Sequence, residues 1–580
     1  MTTARRLLRP HPAVVWVAVC TLMVSLAQAR AADPTDEALR LVPPETRICL
    51  VVRDLRTHLR AIEGSPFEKW LEQSPLGKRL TEPGEMAKIQ QLETFLKSQF
   101  GVGFDQLLDD VLGDAVVLAY EPGPPGKPDD ESGVVLVNAR KPDLLVGLVE
   151  KLNEFQQKSG EIKSVRPLTH QGRRYFGREK STGEREYYFI RDGILAFSGQ
   201  ERAIRQVIEQ DATPPGKPAR VATGIAALGL TGHCAVCWFD PRGFDAELSA
   251  KAESAKDEGD RAFITQFAEV WKATDGLALY AHPGRGLELG VVARFDQEKL
   301  PKGVRELAFP SGEESALWKA VPDDAILAVV GRLNVPRLLA GFESFLAPDG
   351  KAGLKKAIEE GLAPIVGRDK LPAVLAGLGP DWVVWIAPPD KASDGFLPGW
   401  TAALKLTDDK GGVDVGRTVM QAVDFVAQMA RFAYNKDHTD QIELTEATRD
   451  GATVKVMSNE KAFPVGQRPS FGIKAGHLVV ASSPDRIYQF KAPTGPAAGA
   501  RSPLLRLSLK HLRVYLETHR GAIIEAAARW SDKPAMEIER ELAELSVVLE
   551  AFDRVELRHT AGDGKFRLSL HVEFVEPLTK

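Results

Sequence analysis

A 26-residue stretch of this chain occurs twice, and that repetition constrains the fold more than any other feature. VPPETRICLVVRDLRTHLRAIEGSPF runs from Val42 to Phe67, and VPDDAILAVVGRLNVPRLLAGFESFL runs from Val321 to Leu346, displaced by 279 positions without a gap. Val42/Val321, Pro43/Pro322, Val51/Val330, Arg53/Arg332, Leu59/Leu338, Ala61/Ala340 and Ser65/Ser344 are identical. Ile48 to Val52 reads as a short strand of branched residues, followed by a helix from Leu55.

Further blocks match in the same order. At an offset of 267, Leu108/Leu375, Asp114/Asp381, Val116/Val383, Val117/Val384 and Pro122/Pro389 agree. At 283, Ile190/Ile473, Gly193/Gly476, Leu195/Leu478, Ile204/Ile487 and Gln206/Gln489 agree. At 278, Asp275/Asp553, Leu279/Leu557, Gly284/Gly562 and Gly286/Gly564 agree. Offsets that drift this little imply loop-length changes within two copies. A period this long is a domain duplication, since solenoid repeats run roughly 20–50 residues.

The copies divide at Pro- and Gly-rich linkers, DATPPGKPAR (211–220) and KAPTGPAAGAR (491–501). The expected arrangement is A–B–A′–B′: 32–212 and 312–491 as larger units, 221–308 and 502–580 as smaller ones. Pro142 opens an amphipathic helix with Leu144, Leu145, Leu148, Val149, Leu152 and Phe155 on one face. Strands follow through short turns, and Asp192-Gly193 is a strong hairpin signal. The pattern predicts an α+β fold, a tandem duplication with antiparallel sheets and helices packed mainly on one face.

Residues 1–31 read as an export signal. Arg5, Arg6 and Arg9 precede the apolar run Ala13 to Ala27, and small residues offer cleavage after Ala29 or Ala31. No other segment is apolar enough to span a membrane. Residues 1–31 hold four arginines and no acid, so the remainder carries 71 basic and 79 acidic residues, a net −8. That excess argues against a nucleic-acid partner. The expected location is periplasmic or secreted.

Three cysteines remain after cleavage: Cys49, Cys234 and Cys237. Cys234-Ala-Val-Cys237 lies beside His233 and Trp238, but its setting is strand-like. Residues three apart on a strand are about 10 Å apart and face opposite ways, beyond disulfide reach. At an offset of 270 the copy has Leu504 and Leu507, which points to buried apolar positions.

Sites for phosphate, metal or nucleophile do not assemble from local motifs. Gly101-Val-Gly103 lacks the third glycine of a dinucleotide loop, and Gly123-Pro-Pro-Gly126-Lys127 lacks P-loop spacing. Lys436 to Asp440, around His438, and Asp129-Asp130-Glu131 read as solvated turns rather than ligand sets. No GxSxG elbow occurs. No cofactor, metal ligand or catalytic residue is assigned. The polar residues carried by both copies are Arg53, Arg332, Asp114 and Asp381, the candidates for a shared polar site.

The two openings VPPETRICLVVR and VPDDAILAVVGR, behind an export signal, resemble families of uncharacterised bacterial exported proteins with a duplicated α+β domain of unknown function. That resemblance carries no functional residues across. The sequence reads best as a non-catalytic cell-envelope protein, a binding or scaffolding module with an apolar groove between halves. Its partner is an envelope protein or an apolar ligand. The alternative is an exported hydrolase with a dispersed active site.

Overall fold

The computed structural model describes residues 33–575, apart from 65, 74–82, 125–126, 128–129, 214–218, 310–314, 333, 391–394, 408, 495–502 and 532. The export signal and most of the second linker lie outside the described residues. Ten strands come first: β1 (Ile48–Arg53), β2 (Ala115–Glu121), β3 (Ser132–Asn138), β4 (Ile162–His170), β5 (Arg173–Lys180), β6 (Arg185–Arg191), β7 (Ile194–Ser198), β8 (Ala235–Phe239), β9 (Thr274–Pro283) and β10 (Gly286–Phe295). Then come β11 (Leu327–Arg332), β12 (Leu378–Ala387), β13 (Gly399–Leu406), the minor ribbon β14 (Asp409–Lys410) and β15 (Val413–Asp414), β16 (Glu443–Arg449), β17 (Ala452–Ser458), β18 (Ser470–Lys474), β19 (His477–Ala481), β20 (Leu505–Ser508), β21 (Phe552–Gly562) and β22 (Lys565–Phe574).

Twenty of these strands form one antiparallel sheet. From one edge it runs β4-β5-β6-β7-β3-β2-β1-β8-β9-β10. β10 then pairs with β22, from Gly286 opposite Glu573 to Arg294 opposite Lys565. Beyond that seam the order is β22-β21-β20-β11-β12-β13-β19-β18-β17-β16. The expected units therefore share a sheet rather than holding separate ones. β8 joins β1 directly, and β20 joins β11.

Local sequence explains the hairpins. Asp192-Gly193 turns between β6 and β7 with φ of 47° and 86°. Both central residues are left-handed, the geometry whose twist matches flanking strands. Gln171-Gly172, Asp450-Gly451, Ala475-Gly476 and Asp563-Gly564 turn the same way. The side chains between them alternate faces with a period of two.

One sheet face, here called the front, carries Cys49, Val51, Val117, Leu136, Val236 and Ala278 under helices Pro34–Arg40, Glu201–Ala212 and Arg220–Ala227. Further along, Ala328, Val330, Val383 and Val479 meet Leu317, Ile487 and Phe490. On the back face, Val137 and Leu195 pack against helices Phe104–Asp110 and Pro142–Lys158. Leu406 and Leu478 pack against Leu371–Gly377 and Val415–Asp437. Leu507, Val555 and Val572 pack against Leu509–Thr518 and Ala535–Ala551. Helices thus pack on both faces, which corrects the expectation that they lie mainly on one.

Back-face helices also reach across the seam. Trp70, on helix Pro66–Gln73, meets Phe552 edge-on at 5.0 Å, and Phe263 lies 5.8 Å from Phe345. The seam is tight at Gly286, where an added Cβ would sit 2.1 Å from the Val572 carbonyl oxygen. Backbone, not a flexible side chain, would have to move. Gly286→Ala is expected to cost about 1–2 kcal/mol in urea unfolding. An unchanged midpoint would show the seam to be loose at that end.

Candidate functional site

The four sequence candidates do not come together. Arg53 ends β1 opposite Ala115, whereas Arg332 ends β11 opposite Asp381. The strand registers therefore differ by one residue from the sequence match of Asp114 with Asp381, and a one-residue slip exchanges the sheet faces. Arg332 Nε lies 3.4 Å from Asp381 Oδ1 in a partly exposed ion pair. Arg53 is 8% exposed and donates to the Thr231 carbonyl. Burial pulls its pKa down, opposed by Asp33 and Asp36. Asp114 makes no ion pair with it. Its carbonyl accepts from the Asp54 N–H at 2.8 Å, and burial raises its carboxyl. β1 and β11 are seven strand spacings apart, roughly 34 Å at about 4.8 Å each. These residues end strands and do not line one site.

The thiols are placed for packing. Cys49, Cys234 and Cys237 are free, and Cys237 lies on β8 opposite Leu50 while Cys234 just precedes the strand. Burial pushes all three thiols up, so none is poised as a thiolate. The β8 and β20 registers place Cys237 level with Leu505, two residues from the sequence match to Leu507. His438 stacks on Tyr434 at 3.9 Å and bonds its carbonyl, closing the helix end. Glu131 accepts from the Tyr120 hydroxyl at 2.6 Å. Among the described residues, no three His, Cys, Asp or Glu side chains are grouped to hold a metal.

A different feature crosses the middle of the back face. One row runs Val116, Val52, Ala235, Ala281, Leu289, Leu570, Leu557, Leu505, Val329 and Val384, each opposite the next. A parallel row runs Leu118, Leu50, Cys237, Leu279, Val291 and Leu568. Ten strands at about 4.8 Å make the longer row roughly 43 Å. Leu279 is 58% exposed and Leu289 40%, although both sit on central strands of a wide sheet. Central strands are where leucines are ordinarily covered. Beside Leu118 and Leu50, with Val135 and Phe197, the floor dips into an apolar hollow of about 410 Å³.

The sequence reading missed this floor, though its signal is visible. β10 alternates Leu287, Leu289, Val291 and Ala293 with Glu288 and Gly290, and β22 alternates Phe566, Leu568, Leu570 and Val572 with Arg567, Ser569 and His571. The alternation marks an apolar face but cannot say whether helices cover it.

The front of the seam is polar. Tyr280 donates to Glu288 at 2.7 Å, Ser569 Oγ and His571 Nε2 are 2.8 Å apart, and Arg567 lies over the Tyr280 ring. Burial and the bond to Glu288 push the Tyr280 phenol up to about 12, and burial lowers His571. Glu288 Oε1 approaches the same His571 nitrogen that meets the serine, at 3.7 Å. A hydrolytic relay needs the carboxylate on the other ring nitrogen. Ser569 is also 5% exposed and lines none of the described hollows.

No helix among the described residues is long and apolar enough to cross a membrane. No family model, curated protein or solved structure matches the chain.

Proposed function

We propose that this is an exported, non-catalytic cell-envelope protein that binds an acyl chain along the back-face floor. The carrying observation is the unbroken apolar row across the seam with Leu279 and Leu289 open to solvent. An exposed apolar strip of this length is uncommon on a soluble surface and marks a binding site. A flexible apolar chain matches its width of one to two residues better than a globular partner does. Export rests on the charge and apolar pattern of residues 1–31. Duplication is supported by the identical strand order outward from β10 and β22. It is also supported by the 26-residue echo at a displacement of 279. Scaffolding for an envelope protein would use the same floor.

Native mass spectrometry of the mature protein, taken from its own envelope, tests both parts. An added mass of one acyl lipid and loss of residues 1–29 or 1–31 are expected. A ligand-free, uncleaved chain would remove the proposal.

The second reading is a hydrolase, favoured only by the Ser569–His571 contact. With nitrophenyl esters as probes, Ser569→Ala is expected to leave any background turnover unchanged. Loss of more than about tenfold in kcat/KM, about 1.4 kcal/mol, would favour the enzyme instead.

A further inference from the structure

The front face holds a second candidate site, independent of the acyl-chain floor. Trp238, on β8, is 3% exposed, and its indole Nε1 has no hydrogen-bond partner. A buried tryptophan N–H ordinarily finds an acceptor, and an orphan in a well-packed region calls for an explanation. Trp238 borders a hollow of about 300 Å³ between helix Arg220–Ala227 and the ends of β9 and β10. Two glycines on that wall face the nitrogen. A Cβ on Gly224 would lie 2.4 Å from Nε1, and one on Gly276 would lie 3.8 Å away. Gly224 is mid-helix, where glycine is unfavourable, so its place there reflects the indole edge beside it.

The charged residues lining the hollow are Arg220 and Arg294 with Asp240 and Asp275, two of each sign. Asp240 is engaged by Arg47 at 2.6 Å, by Arg220 and by the Arg242 N–H. Arg294 stands across the strand pair from Gly276 and reaches Asp275 only at 3.6 Å. Arg294 thus holds its aspartate less closely than Arg220 holds Asp240. Each guanidinium has five donors in a fork suited to a carboxylate. Ala227 and Leu228 make the remaining wall apolar.

We infer that this hollow binds a small carboxylate with an apolar body, one oxygen accepting from Trp238 Nε1 and the other meeting Arg294 or Arg220. The volume is at the low end for ligand pockets, which suits a compact acid. Supplying the missing acceptor is what links the ligand to the orphan N–H.

The test is saturation-transfer NMR and calorimetry on the mature chain with benzoate, hexanoate and acetate, against neutral benzamide and inorganic phosphate. Benzoate or hexanoate is expected to bind, with benzamide at least about tenfold weaker. Trp238→Phe should weaken the acid about fivefold, and Arg294→Gln similarly. Trp238→Phe removes an unpartnered donor, so the free protein should melt no lower than the parent. That outcome separates lost binding from lost folding. If no carboxylate binds, if phosphate binds as well as they do, or if Trp238→Phe and Arg294→Gln both bind as the parent, the assignment is wrong. None of these results depends on the back-face floor.

Discussion

Glutamate at both Leu279 and Leu289 is expected to weaken binding of a fluorescent fatty acid by about a hundredfold. Each leucine would lose roughly 1 kcal/mol of contact with a seated chain. Each carboxylate would have to leave water without a partner, which costs more again. Two such positions together exceed about 2.8 kcal/mol, the equivalent of a hundredfold. Folding should survive, because both side chains are exposed to solvent, and substitutions at exposed positions usually shift stability by about 0.5 kcal/mol or less. Phe432→Glu is the control. Phe432 is 66% exposed, on helix Val415–Asp437, away from the rows on the floor. If the double variant binds as tightly as the parent, or if Phe432→Glu is as damaging, the floor is not the site.

The second large effect is on stability. Glu556→Ala is expected to lower unfolding free energy by about 2–3 kcal/mol, measured by urea titration. The Glu556 carboxylate is 4% exposed and accepts from Arg506 at 2.8 Å and from Arg558 at 2.6 Å and 2.9 Å. Arg554 lies 3.8 Å away and also pairs with Glu573. Breaking a fully buried pair typically costs about 3–5 kcal/mol. The arginines here are more than a third exposed, so water recovers part of that loss. Burial alone would raise the Glu556 pKa, but the bonds from Arg558 and Arg506 outweigh it and hold the carboxyl below the usual range. The folded pKa is depressed, so its stabilisation is complete above the unfolded glutamate value of about 4.3. It is lost as pH falls through the lower folded value. The parent should therefore lose stability below about pH 4, and Glu556→Ala should show a shallower slope there. Equal slopes would refute the assigned role.

How far the sequence could be read depended on the range of the interactions involved. The helix from Pro142 and the Asp192-Gly193 hairpin are set by periodicity and left-handed turn chemistry, which are local. The echo of Val42 to Phe67 correctly marked β1 and β11 as strands followed by helices. Register was less legible. Arg53 faces Ala115 while Arg332 faces Asp381, because identity among short Val-rich strands is nearly as good one residue out of step. The Glu556 cluster was invisible, since Arg506 and Glu556 are brought together by β20–β21 pairing across 50 positions.

The sequence by itself determined the antiparallel α+β character, the hairpin turns and the strand-ending place of the two matched arginines. These follow from side-chain period, glycine placement and apolar spacing. Only the tertiary structure decided that β10 joins β22, making one sheet of what read as separate units. It also decided that helices leave Leu279 and Leu289 uncovered, and that Gly224 and Gly276 close on the Trp238 nitrogen. Each depends on which distant surfaces meet, and the alternation of a strand is the same whether or not a helix lies over it.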